Sequence, residues 1–317
     1  MDDFGRRAVL LRRMAWLCLV FVLLITSLSA FIRLTRAGLG CADWPACYGR
    51  ALREQQQGGL AAVDDSAAVV AARIAHRVIA SATLLIVAMM AGTCLWPHPR
   101  WWHEGRLALA LLGLAFFLAV LGRWSAAARV PAVTLGNLLA GFTMLALAWQ
   151  LARSAGRASR VRPPAGLRAC ALAAIAVLYT QIALGGLVSA GYAGLSCPDL
   201  GACDTHGVSW RALDPWREPL LDAARSGNPA GALPQQAHRL GTLLLAALLL
   251  PLGIVALRRG PRPSGAALLA FFGMQAAIGI TLVVGALPLP LALAHNLVAG
   301  LLLAATFDLA LGSPPLR

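Results

Sequence analysis

Eight apolar runs, each of a length that can cross a bilayer as helix, constrain this chain more than any other feature. A hydrocarbon core about 30 Å thick takes about 17 to 25 helical residues, and the runs are Met14–Ile32, Ile74–Leu95, Leu107–Leu121, Val130–Leu151, Ala169–Val188, Ala237–Leu257, Ala266–Leu287 and Pro290–Leu311. The third is short, and only "LPLP" separates the last two. Inside lipid, backbone polar groups must be satisfied within the chain, which leaves helices for segments of this kind. Of the 317 residues 59% are hydrophobic and 13% charged, the composition of a membrane protein rather than a soluble domain. The expected fold is all-α and polytopic, with eight transmembrane helices.

The charged residues give an orientation. Every basic residue is Arg, and Arg collects in "GRRAVLLRR", "PHPRWWHEGR", "RSAGRASRVRPPAGLR" and "RRGPRP". Alternate loops hold the acids Glu54, Asp64, Asp65, Asp199, Asp204, Asp214, Glu218 and Asp222. Cytoplasmic flanks carry the arginine excess, so both termini are expected on the cytoplasmic side and the first helix is expected to be retained. The net charge of +14 is then a topology signal with some contact to anionic lipid, and it supplies no nucleic-acid footprint.

Two of the outer loops echo each other: "GLGCADWPACYG" from Gly38 and "GLSCPDLGACDT" from Gly194, about 156 residues later. Each holds two cysteines with five residues between them, in a compartment where disulfides persist. Pro and Gly between the cysteines suit a tight turn, so Cys41–Cys47 and Cys197–Cys203 are expected to be disulfides, with free thiols as the alternative. Zinc is disfavoured by the spacing and the lack of a following His pair. Cys18, Cys94 and Cys170 fall in apolar runs and read as small core residues.

The echo extends to the whole chain. In each part an apolar helix, a Gly-Leu-x-Cys loop, a helix opening with His-Arg ("IAHRVIASATLL", "QAHRLGTLLLAA") and a helix reading "LGNLLAG" or "AHNLVAG" follow in order. The pattern predicts two parallel four-helix bundle repeats, residues 1–155 and 169–317, joined by a cytoplasmic linker at 156–168; such duplications place function within or between their parts.

Ionisable groups within membranes are costly and mark functional sites. His76, His238 and His295 all fall near the outer ends of their helices. Two imidazoles at one depth in one bundle suit the axial positions of a haem iron; the alternative for each is an interfacial His wetted by headgroups. Arg77 and Arg239 follow His76 and His238, where a guanidinium can grip haem propionates or snorkel to the interface. His98, His103 and His206 fall in loops and read as solvated. Asp308 lies towards the cytoplasmic end of the last helix and is expected to snorkel.

Together the duplicated eight-helix plan, the two cysteine loops, the His-Arg dipeptides and "AHNLVAG" resemble the haem A synthase family over nearly the whole chain. The resemblance implies a bacterial inner-membrane oxidoreductase that converts a methyl group of haem O to the formyl group of haem A for terminal cytochrome oxidases. It implies a haem b cofactor on His238 and His295, haem O as substrate near the catalytic His76, and metal ligation through these three histidines. It also implies partners: haem O synthase, cytochrome oxidase assembly factors, membrane lipid and a second copy in a homo-oligomer. Two positions depart from the family. Gly136 stands where a second first-half His belongs, and Arg73 stands where a Glu belongs three residues before His76. A diverged haem b protein without the hydroxylation is therefore an alternative reading, as is a transporter built on a repeat; no broken helix with a midplane polar patch supports transport.

Overall fold

The computed structural model describes residues 3–58, 66–125, 130–155, 163–201, 203, 209–220, 224 and 226–312, except the side chains of 3, 124 and 125. The acids Asp64, Asp65, Asp204 and Asp222, His206 and linker residues 156–162 lie outside them. Nine α-helices occur among the described residues: α1 (Asp3–Arg36), α2 (Arg50–Gln56), α3 (Ala67–Leu95), α4 (Trp102–Ser125), α5 (Pro131–Ser154), α6 (Ala165–Ala190), α7 (Ala232–Arg259), α8 (Arg262–Val284) and α9 (Leu289–Leu311). All but α2 fall within segments long and apolar enough to cross a membrane. The described residues contain no strand.

Local chemistry marks the helix ends. Proline, whose ring pre-sets a helical φ and which needs no donor there, occupies the first turn of α5, α8 and α9. Glycine follows α6, α7, α8 and α9. The turn from α8 into α9 is tight, with Ala286 and Leu287 left-handed at φ 52° and 62°. At the end of α3, Arg7 donates to the carbonyls of Thr93 (2.8 Å) and Cys94 (2.9 Å) and stacks over Trp101, closing the helix with a cation from α1.

The helices pack as two groups of four. In the first, α1, α3, α4 and α5 touch in a ring; in the second, α6, α7, α8 and α9 do so. The groups meet where α5 and α1 lie against α9, and α5 against α6. Each group has its own apolar centre, around Leu11, Met90, Leu111, Leu145 and Leu151 in the first and Leu249, Leu268, Leu302, Leu303 and Leu309 in the second. Gly300 of α9 sits so close to α5 that a Cβ would lie 2.9 Å from Leu145 Cδ2, the close backbone approach that small residues permit between membrane helices. Large apolar side chains such as Val78, Leu85, Phe116, Leu243 and Ile280 face outward from α3, α4, α7 and α8.

Three expectations change. The helices of His76 and His238 begin well before the His-Arg dipeptides, at Ala67 and Ala232. Polar Gln235 continues α7 because its side chain has tertiary partners: it accepts from Cys197 N (3.2 Å) and donates to Gly194 O (3.2 Å). Asp308 does not snorkel. It is 2% exposed, accepts from Ser264 Oγ of α8 and Gln150 Nε2 of α5 at 2.5 and 3.3 Å, and pairs with Arg153 Nε of α5 at 3.3 Å. Cys18 and Cys94 are buried as expected, but Cys170 faces outward from α6.

Candidate functional site

The cysteine loops lie together at one end of the bundle. Cys41–Cys47 and Cys197–Cys203 are at disulfide distance, with Cα atoms 6.7 and 4.6 Å apart. Tyr48 of the first loop accepts a hydrogen bond from Gly194 N of the second (3.3 Å) and its ring lies 5.8 Å from that of Tyr192. Burial in this contact raises the Tyr48 phenol well above its ordinary value, opposed by the Gly194 hydrogen bond and helped by Tyr192.

Below these loops, α7 and α9 bring His238 and His295 together edge-on, with ring centres 6.3 Å apart and planes at 73°. Each imidazole has a polar partner from the neighbouring helix. His238 Nδ1 lies 3.1 Å from Gln181 O of α6. A carbonyl only accepts, so Nδ1 carries the proton and Nε2 keeps its lone pair, the tautomer of a metal-ligating His whose other nitrogen bonds a carbonyl. The same Gln181 donates its Nε2 to His238 O (2.7 Å) and Thr242 Oγ1 (3.1 Å), which fixes the rotation of α7 against α6. His295 Nε2 lies 3.0 Å from Gln275 Nε2 of α8, while His295 Nδ1 and Gln275 Oε1 are buried without a hydrogen-bond partner.

Glycines make the room for the rings. A Cβ on Gly185 of α6 would lie 2.9 Å from His238 Cε1, and one on Gly279 of α8 would lie 3.3 Å from His295 Cε1. Both helices therefore present bare backbone to an imidazole edge.

These residues fit a haem. A metal–imidazole bond is about 2 Å, so two imidazoles on opposite sides of one ion have ring centres about 6 Å apart, close to the separation found. Haem brings its own four nitrogens and asks for two axial ligands. Among the described residues no group of three or more His, Cys, Asp or Glu gathers to hold a bare metal ion. His295 Nδ1, on the Gly279 side of its ring, is buried without a partner, an unsatisfied polar atom in an apolar bundle.

The other site residues of the sequence reading lie elsewhere. His76 is half-buried on α3, which packs against α1 and α4 in the first group, apart from the imidazole pair. Arg77 beside it is exposed. Arg239 turns to the second cysteine loop, donating to the carbonyls of Asp199 (2.6 Å), Leu200 (3.3 Å) and Cys197 (2.8 Å). Gly136 faces α4, where a Cβ would meet Leu121 Cδ2 at 2.9 Å. Sequence reasoning missed Gln181, Gln275, Gly185 and Gly279. The two glutamines carried a signal, since an uncharged polar side chain inside an apolar run needs a partner; the glycines carried none.

Eight membrane-length helices among the described residues, with a close imidazole pair each supported from an adjacent helix, define a multi-pass membrane protein whose two imidazoles could hold a haem. The sequence profile of the cytochrome oxidase assembly proteins matches residues 12–307, and the chain belongs to that family as a multi-pass membrane protein. It is 30% identical over 312 residues to the haem A synthase of Shewanella oneidensis, an alignment covering 92% of this chain and 94% of that protein. It is also 28% identical to the haem A synthase of Methylobacterium sp. strain 4-46 over 94% and 91% of the two chains, and 27% identical to that of Sphingopyxis alaskensis over 93% and 90%.

Proposed function

We propose that this protein is a haem A synthase, an oxidoreductase that converts a methyl group of haem O to the formyl group of haem A for cytochrome oxidase. The observation that carries the reading is the His238–His295 pair, set in a chain that aligns almost end to end with proteins of that name. The net conversion of methyl to formyl removes four electrons and adds one oxygen atom, which a helical bundle of ordinary side chains cannot supply alone. A haem b held by His238 and His295 supplies the redox chemistry when bound.

In this reading the chain's own residues bind and orient. Gln181 holds the His238 ring through its carbonyl and Gln275 holds His295, so both imidazoles are positioned by helices next to their own. His76, half-buried on α3 of the first group, approaches haem O, whereas His103, expected in a loop, stands exposed in the first turn of α4. Arg77 is exposed near it and fits a carboxylate at the bundle's edge, whereas Arg239 secures the second cysteine loop above His238. The two groups of four fit the parallel repeats expected at residues 1–155 and 169–317, with α6 beginning at Ala165, inside the linker expected at 156–168. The arginine-rich flanks put both termini on the cytoplasmic side and the cysteine loops outside, in a bacterial inner membrane. Haem O synthase and oxidase assembly factors are the partners this chemistry calls for, and a homo-oligomer is compatible with the outward apolar faces.

Deletion of the gene, followed by extraction and chromatography of total haem, tests the reading. The expected result is loss of haem A with accumulation of haem O, reversed by the wild-type gene. Unchanged haem A in the deletion strain overturns it.

A further inference from the structure

Two arginines from the first group of helices reach the seam with the second, and their surroundings differ in one respect. Arg153 meets a carboxylate, Asp308. Arg33 of α1, half-buried, meets only neutral oxygens: NH1 donates to Ser189 Oγ of α6 at 2.6 Å and NH2 to Asn296 Oδ1 of α9 at 3.0 Å. Among the described residues no carboxylate pairs with it. A guanidinium withdrawn from water is costly unless an anion accompanies it, and its planar fork matches a carboxylate.

The position of those two oxygens says where the anion would be. Ser189 lies one helical turn from Gly185, on the same face of α6, and Gly185 is the residue against the His238 ring. Asn296 directly follows His295 on α9. Arg33 is thus held by the same two helix segments that border the imidazole pair, through Ser189 one turn nearer the cysteine loops than Gly185 and through Asn296 next to His295. Each acceptor orients the guanidinium without neutralising it. The ligand fitted to that place carries an anionic carboxylate and sits between His238 and His295, and the carboxylates of a protoporphyrin are its propionates.

We propose that Arg33, from the first group of helices, binds a propionate of the tetrapyrrole held between His238 and His295 in the second. The inference rests on the haem reading of the imidazole pair. It makes the second group's site incomplete without α1, and it gives the first group a role in cofactor binding separate from that of His76.

The test uses the full-length protein in nanodiscs, stripped of haem and titrated with protohaem or with its dimethyl ester, binding being followed by the Soret band. The wild type is expected to prefer the free acid. Arg33→Gln is expected to reduce that preference about tenfold or more, the scale of one charge-assisted hydrogen bond, with affinity for the ester nearly unchanged; Arg33→Lys restores part of the preference. Equal losses for acid and ester, which a merely structural Arg33 at the seam would give, overturn the proposal. Should the Gln variant not fold, Ser189→Ala releases the guanidinium without removing its charge and is expected to cut the preference severalfold; an unchanged preference overturns the proposal on this variant too. Binding by the wild type that His295→Ala leaves intact sinks the reading of the imidazole pair itself, and the inference with it, so the two failures are told apart.

Discussion

The two four-helix groups share an order of elements but differ in what they do with the space between helices. In the second group, α7 and α9 bring His238 and His295 together, and α6 and α8 answer with a glycine beside each ring and a glutamine at one nitrogen of each. The first group has His76 on α3, but at the α5 position matching His295 it has Gly136, packed against Leu121. Aligning the cysteine loops puts Ser29 opposite Gly185 and Ile25 opposite Gln181. The difference teaches that a close imidazole pair in a membrane bundle is a property of four helices: two carry the rings, and their neighbours yield volume and fix them.

The largest expected effect breaks the comparison outright. His238→Ala and His295→Ala should each abolish the reduced-minus-oxidised haem spectrum of the purified protein, since each removes one of the two imidazoles that would hold the proposed haem, whereas His76→Ala should leave that spectrum in place. Loss of the spectrum in the His76 variant alone would reverse the assignment of the groups.

Asp308 tests whether the groups are independent bodies. Its carboxylate joins Arg153 and Gln150 of the first group to Ser264 of the second. Removing one partner from a buried ion pair costs about 3 to 5 kcal/mol. Asp308→Leu should therefore lower the melting temperature measured by tryptophan fluorescence, in a single transition. Two separate transitions would show that the groups unfold one at a time.

Glycine substitution sharpens the contrast at smaller scale. Gly185→Ala sets a methyl against a ring held by its own hydrogen bond, and haem affinity should fall about tenfold, the equivalent of about 1.4 kcal/mol. Gly136→Ala meets only the far end of Leu121, and haem affinity should stay within about twofold. Equal effects would mean that Gly185 does not serve the ring.

The smallest effect concerns the contact between the cysteine loops. Because burial raises the Tyr48 phenol, the neutral form is favoured in the folded state. The stabilisation is fully present below the ordinary phenol value near 10 and is lost as pH rises through it, when the unfolded chain ionises first. Chemical unfolding followed against pH should show the wild type losing stability above about pH 10. Tyr48→Phe should lose less there, at a cost of about 1 kcal/mol at neutral pH for the missing acceptor.

Much of the fold was legible in the chain because bilayer thickness sets a length and lipid sets a composition, and both are local properties. The eight spans and the paired cysteine loops follow from those rules, though α1 and α7 outrun their apolar cores. His238 and His295 were legible as rare ionisable groups at like depth. Their supports were not. Gln181 and Gln275 showed only as polar residues in apolar runs, and Gly185 and Gly279 resembled the glycines that face nothing, such as Gly113 and Gly273.

By itself the sequence determined the number of membrane helices and the cysteine pairs, and singled out the histidines at the outer helix ends as candidates. Only the tertiary structure decided which face of each helix is interior, that Asp308 is buried rather than snorkelling, that Arg239 serves a loop, and that Arg33 crosses to the second group. The physical reason is that a helix apolar on every side has no stripe to distinguish lipid from core. Its rotation is set by a few hydrogen bonds and by glycines whose meaning depends on what lies opposite.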